Sequence, residues 1–118
     1  MSTTLYGISN CDAIKRSKSW LTGQDIDFAF HDYKKAGCSP ALAKQLVKNI
    51  PLGQLINRRG TTWRGLSESE REGLNPQTAV ALMSEHPSLI KRPILQIDDD
   101  WLVGFDEEIW SARLNGQD

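Results

Sequence analysis

Cysteine, net charge and long apolar runs are all scarce in this sequence of 118 residues, and each scarcity excludes a class of protein. Two cysteines, Cys11 and Cys38, do not make the disulfide framework of a small secreted domain, so a reducing compartment is expected. Fourteen basic and fifteen acidic residues give a net charge of -1, which leaves no cationic field for nucleic acid. No stretch approaches the ~20 apolar residues of a membrane helix, and residues 1–5 lack the features of a signal peptide. A cytoplasmic protein that binds neither nucleic acid nor membranes is therefore expected.

The length and composition fit one globular domain that spans residues 1–118. The apolar share of 39% and the charged share of 25% are usual for such a domain, and no repeat, low-complexity tract or linker interrupts the chain. A chain of this size buries about two-thirds of the surface that its unfolded form exposes, so its core needs no metal or disulfide.

The first third of the chain predicts a β-α-β unit over residues 3–31. A β-favouring run occupies residues 3–8, and Gly7 within it indicates close approach of a neighbouring backbone. Helical spacing begins at Ala13 and ends at Gly23. Apolar residues then alternate with polar or small ones over 26–30, which is the period of a strand. Such a unit joins two parallel strands by a right-handed crossover.

The middle of the chain predicts several short helices. Ser39-Pro40 and Asn75-Pro76 each combine a capping side chain with a proline at the first helical position. Further helical turns are expected over 51–56 and after Ser67, whereas the composition of 57–65 is typical of a loop.

Two strands and a helix are expected at the end of the chain. The apolar runs 94–97 and 101–103 flank Asp98-Asp99-Asp100, which is the pattern of a hairpin with a three-residue loop. A capped helix is predicted over 106–114. The order of elements indicates an α/β protein with a mixed sheet and helices on both faces.

Cys11 lies where the first predicted strand turns into the first predicted helix. Unpaired N–H groups and the positive end of the dipole at a helix N-terminus stabilise a thiolate, and such cysteines have pKa values of roughly 3.5–7.5. Lys15 and Arg16 either strengthen this field or lie on the solvated face of the helix. The alternative for Cys11 is a buried structural cysteine. The corner position favours a reactive thiol.

The remaining candidate residues carry weaker signals. Proline is tolerated at the start of a strand, so Arg92-Pro93 either marks the beginning of the late strand or contains a cis peptide bond. Cys38 is expected to be incidental. His31 and His86 each lack a second ligand at metal-binding spacing, so no metal site is expected.

Three segments together resemble the arsenate reductase and Spx-like family. They are Leu5-Tyr6-Gly7-Ile8-Ser9-Asn10-Cys11-Asp12, Arg59-Gly60-Thr61-Thr62-Trp63-Arg64 and Leu89-Ile90-Lys91-Arg92-Pro93-Ile94. The second segment is particularly similar to the YffB-type members of that family. The resemblance covers nearly the whole chain, and it implies a thioredoxin-like fold with a four-stranded mixed sheet and a helical insertion at about 39–90.

The resemblance also implies roles for individual residues. Cys11 corresponds to the catalytic nucleophile, and Pro93 to a proline that is cis in this fold. At the mid-chain basic position Arg59 is the best match and Arg58 is the alternative. The residues expected to bind an anion or glutathione are Arg59, Arg92, Arg58, Asn10 and Pro93.

Two departures from the family pattern narrow the expected activity. Residues 102–106 hold no arginine where the family's arsenate reductases use one, so arsenate reduction is not expected. Cys11 is followed by Asp12-Ala13-Ile14 and so lacks the second cysteine of a Spx-like redox switch. We expect a glutathione-dependent thiol or oxyanion reductase, with glutathione as co-substrate and no bound cofactor. The alternative is a Spx-like, protein-binding transcriptional regulator that contacts RNA polymerase without catalytic turnover.

Overall fold

The computed structural model describes residues 2–115, and these divide into two compact units. The first unit combines the residues up to His31 with those from Arg92 onward, and the second unit is Asp32–Lys91. The second unit contains the range predicted as a helical insertion; that the whole chain is a single domain stays a prediction. Among the described residues, no helix is both long and apolar enough to cross a membrane.

A four-stranded mixed sheet forms the frame of the described part of the first unit, as the sequence predicted. Its strands are β1 (Thr3–Gly7), β2 (Ala29–Asp32), β3 (Ile94–Ile97) and β4 (Asp100–Val103). Their spatial order is β2-β1-β3-β4, with β1 antiparallel to β3 and β3 antiparallel to β4. Because the sheet is mixed, β2 lies parallel to β1.

One face of the sheet is buried against two helices, α1 (Asp12–Gly23) and α8 (Glu107–Asn115). Leu5 is directly opposite Leu95 in the β1–β3 ladder, so both side chains point to the same face. Trp110 of α8 is fully buried and donates its indole N–H to the Gly104 carbonyl at 3.1 Å. The buried residues of this core are Leu5, Ile14, Leu21, Leu95, Ile97, Trp110 and Leu114.

The second unit consists mainly of short helices, and two of their starts were predicted correctly. The Ser39 hydroxyl accepts the Leu42 N–H at 3.1 Å, and the Asn75 side chain accepts the Gln77 N–H at 2.9 Å. These bonds satisfy N–H groups that have no partner within the helix. The helices are α2 (Tyr33–Ala36), α3 (Pro40–Asn49), α4 (Leu52–Leu55), α5 (Thr61–Gly65), α6 (Glu68–Glu72) and α7 (Pro76–Glu85), followed by a 3-10 turn at Pro87–Leu89.

Two strand boundaries differ from those predicted. The alternation over 26–30 begins before β2, because Ile26 and Phe28 pack against the core ahead of the hydrogen-bonded ladder. The late hairpin has a two-residue turn instead of three, since Asp100 pairs with Ile97. Asp98 in this turn has a φ of 54°, a conformation that aspartate tolerates better than most residues.

Helix α5 lies in the segment 57–65 that composition predicted as a loop. The Arg64 guanidinium donates to the Arg59 carbonyl at 3.0 Å, and the Arg64 N–H donates to the Gly60 carbonyl at 3.3 Å. Gly60 and Gly65 at its two ends give this stretch the composition of a loop, so its helical turn was missed.

Candidate thiolate site

Cys11 occupies the N-cap of α1, immediately after the turn that follows β1. Its backbone is extended, with φ −97° and ψ 131°, and its carbonyl accepts the Lys15 N–H at 3.0 Å as the first turn of the helix begins. The Cys11 N–H donates to the Ile8 carbonyl at 3.3 Å, which closes the turn between strand and helix. The side chain is half-buried. The structure therefore places Cys11 at the predicted corner, at a helix start whose first N–H groups lack partners within the helix.

Opposing effects act on the pKa of the Cys11 thiol. Burial raises it, because removal from water disfavours the thiolate. The backbone N–H groups of Ile14 and Ala13 and the side chain of Arg92 favour the thiolate and lower it, and the charge of Arg92 lowers it further, although the Cys11 side chain makes no capping hydrogen bond at the helix start. The net result is a pKa below the ordinary value of a cysteine. The Cys11 sulfur is thus available as a nucleophile at a lower pH than an ordinary thiol.

Arg92 and Pro93 stand immediately before β3, in the same unit as Cys11. Their peptide bond is cis, as the resemblance implied. Pro93 is buried, and its carbonyl accepts the Gly104 N–H at 2.8 Å. Asn10 is exposed in the turn next to Cys11. That Asn10 and Pro93 contact an anion or glutathione stays a prediction.

Arg58 and Arg59 lie in the second unit, between α4 and α5, and their local contacts differ. The Arg58 guanidinium lies over the Trp63 ring, 5.4 Å from its centroid. The Arg59 backbone is held on both sides, since its N–H donates to Asn57 Oδ1 at 3.1 Å and its carbonyl accepts from Arg64. Both side chains are exposed. The backbone of Arg59 is thus fixed by hydrogen bonds, whereas the guanidinium of Arg58 already has a cation–π contact with an aromatic ring.

Cys38 has the opposite environment to Cys11. It is buried, and burial raises its pKa to about 11. Its sulfur lies 3.8 Å from the Ser39 carbonyl, a weak contact that an S–H group donates to and a thiolate does not. Cys38 is therefore protonated and shielded in the folded protein.

This difference predicts selective alkylation. Iodoacetamide at neutral pH is expected to modify Cys11 in the native protein and to reach Cys38 only after denaturation, because alkylation requires an accessible thiolate. Trypsin separates the two cysteines, since Lys15 and Lys35 lie between them. Mass spectrometry of the two peptides measures each rate, and equal rates in the native protein would contradict the assignment.

The sequence predicted N–H groups that stabilise the Cys11 thiolate but did not identify them as those of Ala13 and Ile14. Backbone groups leave no signal in residue identity, although the helix start itself predicted that such donors exist. A close approach at Gly7 is found, but side-chain atoms make it and not the neighbouring backbone that the sequence indicated. A Cβ at Gly7 would lie 2.7 Å from Ile14 Cγ1 and 3.9 Å from Arg92 Cβ.

The two histidines have contacts of other kinds. The His31 ring lies 5.3 Å from that of Tyr6, and His86 Nε2 lies 3.6 Å from a Glu85 carboxylate oxygen. Within residues 2–115, His, Cys, Asp and Glu side chains form no group of three that could hold a metal ion.

The sheet order, the flanking helices and the cis bond before β3 define the class of this protein, a thioredoxin-like fold, as the sequence predicted. The chain belongs to the ArsC family, whose pattern it matches over residues 6–112. The resemblance to arsenate reductases and Spx-like proteins is thereby confirmed.

Three relatives illustrate what the chain is similar to. A solved structure of a protein named YFFB is 35% identical and superposes with a TM-score of 0.90, covering 96% of this chain and 99% of that one. An arsenate reductase (ArsC) related protein from Brucella melitensis is 42% identical, with a TM-score of 0.76 and coverage of 98% and 96%. The global transcriptional regulator Spx of Bacillus subtilis (strain 168) is 26% identical over 107 residues, which are 89% of this chain and 81% of that protein.

Proposed function

We propose that this protein is a thiol or oxyanion reductase that uses Cys11 as its nucleophile and glutathione as its co-substrate. The observation that carries the proposal is the placement of Cys11 at the start of α1, where two backbone N–H groups and Arg92 stabilise its thiolate. Membership of the ArsC family, which includes arsenate reductase-related proteins, supports a reductase. The low cysteine content favours the cytoplasm, a compartment where thiols stay reduced.

With a disulfide substrate, the reaction proceeds by two exchanges. The Cys11 thiolate attacks one sulfur, the S–S bond breaks, and the other half of the substrate leaves as a thiolate that takes a proton from water. The thiolate of glutathione then attacks the substrate sulfur now bonded to Cys11. A mixed disulfide of glutathione and substrate forms, and Cys11 leaves as the thiolate with which it began. Arg92 holds the negative charge of the Cys11 sulfur before the first exchange and after the second.

An outside thiol is needed because the chain offers no usable second cysteine. The residues after Cys11 are Asp12, Ala13 and Ile14, and Cys38 is buried with a raised pKa. Glutathione suits the task because it carries a thiol and two carboxylates, which are ligands for arginine side chains. Arg92, which belongs to the same unit as Cys11, is proposed to bind it, and binding by Arg59 is a separate proposal with its own test. Arsenate is not proposed as the substrate, since residues 102–106 hold no arginine.

Mass spectrometry after incubation with oxidised glutathione tests the proposal. We expect an adduct of one glutathione on the peptide that contains Cys11, reversed by reduced glutathione. The peptide that contains Cys38 is the internal control. Modification confined to Cys38, or no adduct at all, would contradict the proposed mechanism.

Arg59 and Arg58 form a matched pair for testing glutathione binding. Arg59→Ala is expected to weaken the affinity for glutathione about two- to fivefold, the upper part of the range for losing one exposed charged contact. Arg58→Ala is expected to change it less than about twofold, because the Arg58 guanidinium already lies over Trp63. Calorimetric titration measures both variants. A larger loss in Arg58→Ala would assign the role to Arg58, and no loss in either would remove both residues from the site.

A second candidate function is a Spx-like, protein-binding transcriptional regulator that acts without turnover. The similarity to Spx of Bacillus subtilis over 89% of this chain favours it. Cys11 would then tune binding of a partner such as RNA polymerase, with no substrate consumed. Co-purification of polymerase subunits with the tagged protein, together with absence of disulfide reduction in the presence of glutathione, would select this function.

A further inference from the structure

Gly7, the last residue of β1, lies directly beneath the side chain of Ile14 in the first turn of α1. A Cβ built on Gly7 would lie 2.7 Å from Ile14 Cγ1, and Ile14 Cδ1 would come closer still. Real Cβ atoms do not approach carbon atoms to within this distance. Ile14 therefore occupies the space that a side chain at position 7 would fill.

Ile14 has little room to yield to a larger residue at position 7. Its side chain is 0% exposed and belongs to the core formed with Leu5, Leu21 and Trp110. Isoleucine in a helix is strongly restricted at χ1, so Cγ1 moves only if the side chain changes rotamer or the backbone moves. A changed rotamer would collide with close-packed neighbours. A Cβ at position 7 would therefore displace the backbone at the start of α1.

That backbone carries two of the groups that lower the pKa of the Cys11 thiol, the N–H groups of Ala13 and Ile14. The third group, Arg92, is affected much less, because its Cβ would lie 3.9 Å from a Cβ on Gly7, an ordinary contact distance. A side chain at position 7 would thus disturb the helix donors and leave the guanidinium in place.

We propose that Gly7 is a positioning residue for the nucleophile: by having no side chain, it lets Ile14 enter the core at the depth that places the Ile14 N–H against the Cys11 sulfur. This inference rests on the proposed role of Cys11 as a nucleophile. It adds a residue that touches neither the sulfur nor a substrate and acts through the position of α1.

The test is a cycle of four proteins: wild type, Gly7→Ala, Ile14→Ala and the double variant. Alkylation of Cys11 by iodoacetamide is followed against pH, with the tryptic peptides separating it from Cys38. Gly7→Ala is expected to slow alkylation at neutral pH about tenfold, because weakening one hydrogen bond to a thiolate raises its pKa by about one unit. In the double variant the obstructing Cγ1 and Cδ1 atoms are gone, so alkylation returns to within about twofold of wild type.

Ile14→Ala alone separates stability from positioning. It loses thermal stability, since it leaves a cavity in the core, yet alkylates at close to the wild-type rate. The double variant likewise combines a lowered melting temperature with a normal alkylation profile. A merely structural role for Gly7 would instead make the alkylation rate follow stability across the four proteins.

Three outcomes would overturn the inference. The first is an unchanged alkylation profile in Gly7→Ala, which would mean that the core absorbs the methyl group. The second is a double variant as slow as Gly7→Ala, which would mean that the methyl group does not act through Ile14. The third is an ordinary thiol pKa for Cys11 in the wild type, which would remove the proposed function as well. If the cycle behaves as expected but oxidised glutathione forms no adduct, the proposed function fails and the role of Gly7 stands.

Discussion

Cys11→Ser is expected to abolish formation of the glutathione adduct and to lower glutathione-dependent disulfide reduction more than about a thousandfold, the scale on which loss of a nucleophile acts. Serine preserves the size and the N-cap hydrogen-bonding capacity of the residue, so the fold is retained. Its hydroxyl remains protonated near neutral pH and does not attack sulfur. Reduction of a small disulfide, coupled to consumption of glutathione, measures the rate.

Cys38→Ala is the matched control for this prediction. It removes the other thiol of the chain, and because Cys38 is buried with a raised pKa, turnover should stay close to that of the wild type. A melting curve for each variant confirms that both are folded. If Cys11→Ser kept its activity and Cys38→Ala lost it, the assignment of the nucleophile would be reversed.

Arg92→Ala is expected to raise the pKa of Cys11 and to slow its alkylation about tenfold at neutral pH. Arg92 lowers that pKa through a hydrogen bond and through its charge, so its removal shifts the thiol toward ordinary values. The sign of the pH dependence follows from this shift. Below both pKa values the variant holds less thiolate and reacts more slowly. At alkaline pH, where the Cys11 thiol is fully ionised in both proteins, the two alkylation rates converge.

Two further variants make this prediction specific. Lys91→Ala removes the neighbouring exposed cation and should leave the dependence of the Cys11 alkylation rate on pH unchanged. Arg92→Lys keeps the charge but loses the planar set of donors, so its profile should lie between those of the wild type and Arg92→Ala. A slower rate for Arg92→Ala at every pH, with no convergence, would show that Arg92 does not act through ionisation of the thiol.

The elements that the sequence predicted well depend on local interactions. Ser39-Pro40 and Asn75-Pro76 begin helices because the capping side chain and the N–H group that it accepts lie within three residues of each other. Helix α5 was missed because Arg64 reaches back to the carbonyl of Arg59, a contact that composition does not record. The predicted hairpin turn was one residue too long, again because composition does not record the contact that decides it. Asp100 is the third of three consecutive aspartates, so its residue type does not separate it from the turn. Its pairing with Ile97 places it in β4.

The candidate site likewise has one part that local sequence predicts and another that depends on contacts between distant residues. The position of Cys11 at the start of α1 follows from the change in periodicity between residues 8 and 13. Its interaction with Arg92 joins residues far apart in the sequence, and the family resemblance indicated only that Arg92 binds an anion or glutathione. The depth at which the Ile14 side chain enters the core depends on the packing of the whole core, so the sequence indicated a close approach at Gly7 but assigned it to a backbone instead of to this side chain.

Two of the three groups that lower the pKa of the Cys11 thiol belong to the main chain, and this makes the site tolerant of genetic change. Any residue except proline supplies an N–H at positions 13 and 14, so most substitutions there preserve both donors. Mutational drift along the first turn of α1 can alter the surface that partners meet without altering the acidity of the thiol. The changes that lower reactivity are confined to few positions: the cysteine, the arginine and the residues that set the depth of the helix. New substrates can therefore be acquired around an unchanged nucleophile.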